Sequence, residues 1–366
     1  MQTCIERYQA SRRLQTDLRT YFDEYMFLGG IRTFSAPFSG TEAEMAGHWS
    51  ISQNQQTDSQ HVKFSGRFYD GEDENWAVDF AGVAAGFLSS TLPTLTGSPA
   101  VAMEKCISVV ENFLRYVLHH SVCPEHTGDV KAALQVAADA RAEWPQLVKL
   151  QEAVPGQFNL AAAEISGNCD VDDWSFQSFV RPKDFNPQKV FYSTLALLDD
   201  PGLFAKMVAQ KPQVISEIEC SLILIETIYP KDDVVQNFRR LNIGEQDNKA
   251  RLSPVGQARF QPTTIEDGWY DPYINENLDA SEEIVLYIEA SILAFMKVGM
   301  RFEMKLCRVD AGMYFLKSII RVVPSFYAFL PQQLMRDFTP PQKVEPKKVL
   351  LQPIIDEDAG KETSGE

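Results

Sequence analysis

The stretch MRFEMKLCRVDAGMYFLKSIIRVV, Met300 to Val323, decides the fold. Met300, Phe302, Met304 and Leu306 alternate with Arg301, Glu303 and Lys305. Successive side chains of a strand point to opposite faces, so the run predicts a strand with one apolar and one charged face. Asp310-Ala311-Gly312 supplies turn residues, and Met313 to Val323 returns as a second strand, making an antiparallel hairpin. Pro324 ends it, because proline has no N–H to donate to a ladder. Working outward, Val190 to Leu198, Val214 to Tyr229 and Arg251 to Gln261 share the enrichment in β-branched and aromatic residues, and are predicted as further strands.

The first half carries a different period. Ile5, Tyr8, Leu14, Leu18, Tyr21, Phe22 and Tyr25 recur at helical spacing, which predicts one amphipathic helix stopped by Gly29-Gly30. Asp79 to Leu92, Val101 to His120 and Thr127 to Glu152 read as core helices, the last with Thr127-Gly128-Asp129 able to cap its own free N–H groups. Helices first and strands after give an α+β fold with a helix-rich N-terminal half and a strand-rich antiparallel C-terminal half. The organisation expected is a helix-rich region over 1–167 with a polar loop at 41–75, and a strand-rich region over 168–335 packed with it as one unit. A disordered tail over 336–366 follows, poor in large apolar residues.

With 366 residues, 45% hydrophobic and 11% aromatic, the chain can bury a large core. A formal charge of -16 argues against a surface built to neutralise phosphates, and favours a basic partner. Six cysteines are spread along the chain without close pairing or a leading signal peptide, so reduced thiols are expected. No apolar run reaches the ~18 to 20 residues that a membrane span needs, and no membrane contact is expected.

The densest chemistry is His119-His120-x-x-Cys123-x-x-His126. A structural zinc site needs four nitrogen or sulfur ligands, and no second Cys/His cluster completes this one; the alternative is a helix-end loop with imidazoles near the negative helix dipole. Cys123 near His126 lacks the motif of an activated nucleophile. Asp172-Asp173 and Asp232-Asp233 read as solvated turns, and Gly29-Gly30 lacks the strand and lysine of a nucleotide loop. No catalytic, cofactor or metal residue is assigned. A metal- or Cys/His-dependent enzyme using the 119–126 loop, and a general acidic scaffold, stand as alternatives to a binding protein.

Five segments carry a resemblance. CIERYQASRRLQTDLRTYFDEYMFLGGIRT (Cys4 to Thr33) with the PFSG that follows, WAVDFAGVAAGFLSSTLP (Trp76 to Pro93) and FLRYVLHHSVCPEHTGDVKAAL (Phe113 to Leu134) are the sharpest. VPGQFNLAAAEISG (Val154 to Gly167) and VGMRFEMKLCRVDAGMYFLKSIIRVVPSFY (Val298 to Tyr327) continue it. Together they resemble the fungal Argonaute-binding proteins, the first subunit of the Argonaute siRNA chaperone complex. The resemblance implies a non-catalytic subunit that holds Argonaute loaded with duplex siRNA, together with a second subunit. It implies restraint of slicing or passenger-strand release and support of heterochromatin silencing; a nuclear and cytoplasmic location is expected with it, and the acidity of the chain gives the expectation of no direct nucleic-acid binding. Members usually carry a lysine-rich extension before the first helix, and the contacts of such an extension are not inferred for this chain. Candidate contacts are Tyr21, Phe22 and Arg32 at the first helix end and Trp269 in a Gly-Trp dipeptide, the form whose tryptophans Argonautes take into surface pockets. Leu350, Leu351 and Ile354 in a tail cluster complete the set.

Overall fold

The structure, a computed structural model, describes residues 2–11, 14, 16–31, 33, 77–97, 100–167, 181, 185–198, 200–242, 252–267, 278–279 and 281–330. The hairpin expected from Met300 to Val323 is present as β4 and β5 of a closed five-stranded barrel. Its strands are β1 (Val214–Ile228), β2 (Val255–Pro262), β3 (Ile284–Glu289), β4 (Arg301–Val309) and β5 (Tyr314–Val323), in the order β1-β2-β3-β5-β4. Ile215, Ile225, Lys317 and Ile320 fall at register shifts, one extra residue each. Such bulges raise local twist and let so few strands curl into closure. All pairings are antiparallel except β3 with β5, which run parallel and meet at a single residue pair, Leu286 with Tyr314. The sheet is antiparallel as expected, apart from that one parallel seam.

The helices number α1 (Gln2–Ser11), α2 (Thr16–Leu28), α3 (Phe80–Gly86), α4 (Leu92–Thr96), α5 (Ala100–His119), α6 (Thr127–Ala153), α7 (Gly156–Ser166), α8 (Pro187–Leu197), α9 (Pro201–Ala209), α10 (Asp232–Leu241) and α11 (Ala290–Leu293). A π-helical turn, Phe87–Thr91, joins α3 to α4. The expected single N-terminal helix is two, with Leu14 outside both. Gly30, at φ 72°, closes α2: Ile31 N–H donates to Met26 C=O and Gly30 N–H to Phe27 C=O, so two orphan carbonyls are satisfied in the left-handed closure that glycine adopts without a Cβ clash. Val190 to Leu198, expected as a strand, lies almost wholly within α8. Pro187 enters the first turn, the Asn186 side chain accepts from Lys189 N–H at 3.0 Å, and Val190, Phe191, Thr194 and Leu195 form a buried stripe of helical period. Capping and periodicity there outweigh β propensity.

Two cores flank the barrel wall. Phe302, Met304 and Leu306 of β4 join Leu222 and Leu224 of β1, Phe260 of β2 and the residues of α1 to α6 in one continuous core. Tyr287 of β3, Cys307 and Val309 of β4 and Phe315 of β5 face the other way, under α7 to α10. No described helix is long and apolar enough to cross a membrane.

Candidate functional site

Four of the five segments singled out in the sequence meet in the first core, and the fifth, Val154 to Gly167, lies chiefly in the second. Tyr8 of α1 stacks on Phe22 of α2, ring centroids 5.3 Å apart, and both meet Phe113 of α5 edge-on at 5.4 and 5.3 Å. Tyr25 meets Phe87 of the π turn at 5.3 Å. Each such pair adds about 0.5–1.5 kcal/mol to the area it buries, so α1 and α2 are held as part of the body. Phe22 is 0% exposed. As a candidate contact it is therefore corrected: its ring is spent on the core, while Tyr21 beside it is half-buried at the surface. Arg32, Trp269, Leu350, Leu351 and Ile354 lie outside the described residues, as does the tail.

Asp129, expected to cap its own helix, caps another. Its carboxylate accepts from Phe80 N–H at 2.6 Å and Ala81 N–H at 3.2 Å, and Asp79 accepts from Gly82 N–H at 2.6 Å. The first turn of α3 is thus satisfied from two sides. The π turn displaces the regular i to i−4 ladder, and Trp144 of α6 donates its indole N–H to Leu88 C=O at 2.9 Å in a buried setting. Ala328 N–H reaches Ser89 Oγ at 3.4 Å, bringing the end of the Val298-to-Tyr327 segment onto the same turn.

Glu143 of α6, 3% exposed, ties this helical body to the barrel. Its carboxylate accepts from Lys297 Nζ at 2.6 Å, Ser325 N–H at 2.8 Å and Ser325 Oγ at 2.6 Å. A buried carboxylate needs such compensation, because a charge taken out of water without hydrogen-bonding partners is strongly disfavoured. On the opposite side α7 stands against the β3–β5 seam. Asn159, fully buried, donates from Nδ2 to Tyr287 C=O at 3.0 Å and accepts at Oδ1 from Leu316 N–H at 2.9 Å. One side-chain amide thereby bridges two strands that hardly pair with each other. Glu289, at the end of β3, accepts from Phe158 N–H at 2.7 Å, while its Oε2 has no hydrogen-bond partner among the described residues and faces Gly156, where a Cβ would lie 2.1 Å away. Burial pushes its carboxyl above the usual range, against the lowering influence of the α7 backbone amides.

The seam leaves an open cleft of about 380 Å³ beside α9, walled by Leu203, Val285 and Met313 and edged by Asp200, Glu283 and Tyr287.

In the 119–126 loop, the His120 ring packs on Tyr116 at 4.3 Å and the His126 ring on Phe80 at 6.4 Å. Burial pushes the Cys123 thiol up, the direction that suppresses the thiolate needed for nucleophilic attack or metal ligation. No group of three or more metal-ligating side chains gathers among the described residues. Basic side chains are widely engaged by acids: Arg141 by Glu104 and Glu111, Arg259 by Glu226 and Glu283, Arg321 by Asp267, Lys305 by Glu219. These surface pairs contribute little stability each, but they leave those cations less able to collect phosphates. The long-range locks at Asn159, Glu143 and Trp144 carry no local sequence signal beyond a polar or aromatic residue on an apolar helix face.

The model of the family described as Argonaute siRNA chaperone (ARC) complex subunit Arb1 matches residues 1–341. Argonaute-binding protein 1 of Schizosaccharomyces pombe (strain 972) is 24% identical to this chain over 337 residues, covering 89% of this chain and 80% of that protein. No solved structure matches.

Proposed function

Because this chain belongs to the Arb1 family of Argonaute siRNA chaperone complex subunits, we propose that it is a non-catalytic subunit that holds Argonaute while Argonaute carries duplex siRNA. In this reading it acts with a second subunit of the complex, restrains slicing or release of the passenger strand, and supports heterochromatin silencing from the nucleus and cytoplasm. The observation that carries the proposal is the extent of the family match, which takes in both the helical body and the whole barrel. The physical setting agrees with it. A charge of -16 speeds encounter with a basic protein and repels free RNA. The chemistry that an enzyme reading would use points the other way, since Cys123 is biased toward its protonated thiol.

The test is a single-turnover assay of passenger-strand cleavage and release from duplex-loaded Argonaute, with this chain and the second subunit added together and separately. Slower passenger release in their presence supports the proposal. Unchanged release, with stable binding demonstrated in the same samples, refutes the restraining role.

A further inference from the structure

The seam cleft holds recognition chemistry that the fold itself does not consume. Tyr287 is 9% exposed and lines the cleft, yet its hydroxyl meets no hydrogen-bonding partner among the described residues. Asp200 lines the same cleft, and burial, with the charge of Asp200 adding to it, pushes that hydroxyl's pKa up. Asp200 spends Oδ1 on capping α9, accepting from Leu203 N–H at 2.9 Å, and no partner is seen for Oδ2 among the described residues. Glu283, on the β3 side, shares Arg259 with Glu226 across 3.5 and 3.4 Å, so its charge is only partly offset. Between these polar groups the walls are aliphatic. Nearby Glu282 is occupied by the Tyr314 hydroxyl at 2.9 Å, and Arg308 lies over the Tyr314 ring.

We propose that this cleft takes an arginine side chain presented on an extended segment of a protein partner. The aliphatic stem lies against Leu203, Val285 and Met313, and the guanidinium donates to Asp200 Oδ2, the Tyr287 hydroxyl and Glu283. A guanidinium suits the site better than an ammonium because its planar fork serves several acceptors at once and sheds water more readily. The cleft also has room for the neighbouring residues of the segment. Lys206 is the one cation among the described lining residues, and it competes with the guest for the same carboxylates, as Arg259 does for Glu283. The partner's identity as Argonaute rests on the function proposed above; the recognition chemistry rests on the cleft.

The probe is the blocked tripeptide Val-Arg-Val, with citrulline and lysine versions, titrated into the full chain while the Met313 methyl and Gly312 amide resonances are followed. Saturable shifts at both are expected, with citrulline binding about tenfold weaker, the loss of one charge-assisted contact pair. Asp200→Asn keeps the α9 cap and removes the charge, and Tyr287→Phe removes only the hydroxyl; each is expected to weaken binding about three- to tenfold, while Lys206→Gln strengthens it about twofold. Urea midpoints verify that the variants fold, and Asp200→Asn stands alone if Tyr287→Phe does not. Absent saturation at the cleft, or equal binding of citrulline and arginine, overturns the inference. Argonaute capture without tripeptide binding removes the cleft and leaves the proposed function standing; tripeptide binding without Argonaute capture does the reverse.

Discussion

Replacing Asn159 by Ala removes the amide that stands in for the missing β3–β5 ladder. Two hydrogen bonds of 3.0 and 2.9 Å disappear, and Tyr287 C=O and Leu316 N–H are left buried without partners. Each orphaned group costs about 1–3 kcal/mol, which together give about 2–6 kcal/mol, with a small cavity added. Against a total stability of about 5–15 kcal/mol, this is enough to open the seam locally before the barrel unfolds. Urea denaturation reads the global loss, and hydrogen exchange at the Leu316 amide reads the local one. The expected result is a lower midpoint together with Leu316 exchange accelerated about 30-fold or more, the factor for about 2 kcal/mol. A loss below about 1 kcal/mol with Leu316 protection unchanged would show that Asn159 does not carry the seam.

Three further outcomes follow from the locks. Glu289 has a raised carboxyl pKa in the folded chain, so between the ordinary glutamate value of about 4.3 and the raised one unfolding releases its proton, and stability is lost as pH rises through that window. Urea midpoints of Glu289→Gln are therefore expected to decline less than those of the natural chain as pH rises above about 4.3, and parallel curves would reject the assignment. Glu143→Ala takes the acceptor from Ser325 N–H and Oγ, while half-exposed Lys297 keeps Asp139 at 3.6 Å, and is expected to cost about 1–3 kcal/mol, with limited proteolysis shifting to cuts between α6 and the barrel. Trp144→Phe keeps most of the ring but loses the bond to Leu88 C=O, costing about 1–3 kcal/mol in thermal unfolding, with faster exchange in the π turn than elsewhere in the helical body.

What was legible in the sequence was local. The Met300-to-Val323 hairpin and the core helices follow from period and turn chemistry, which act between neighbours. Barrel closure depends on bulges at Ile225, Lys317 and Ile320 and on a helix plugging a seam, and pairing register across long separations leaves no trace in a single strand. Val190 to Leu198 misled because its β-branched and aromatic residues also fit a buried helix face, and Asn186-Pro187 was the signal that would have decided it. Phe22 was read as a contact because a sequence shows an apolar stripe but not what covers it. The cleft was invisible: Asp200, Glu283 and Tyr287 are brought together only by α9 and the seam.

The central claim is that this acidic chain binds Argonaute and not free RNA. The most direct measurement is equilibrium binding of the purified chain to its own organism's Argonaute, loaded with duplex siRNA, at low and moderate salt, with the naked duplex titrated in parallel. A stoichiometric Argonaute complex that weakens with salt, beside negligible affinity for the duplex, is the predicted result. Tight binding to the naked duplex, or no Argonaute complex even with the second subunit supplied, would contradict it.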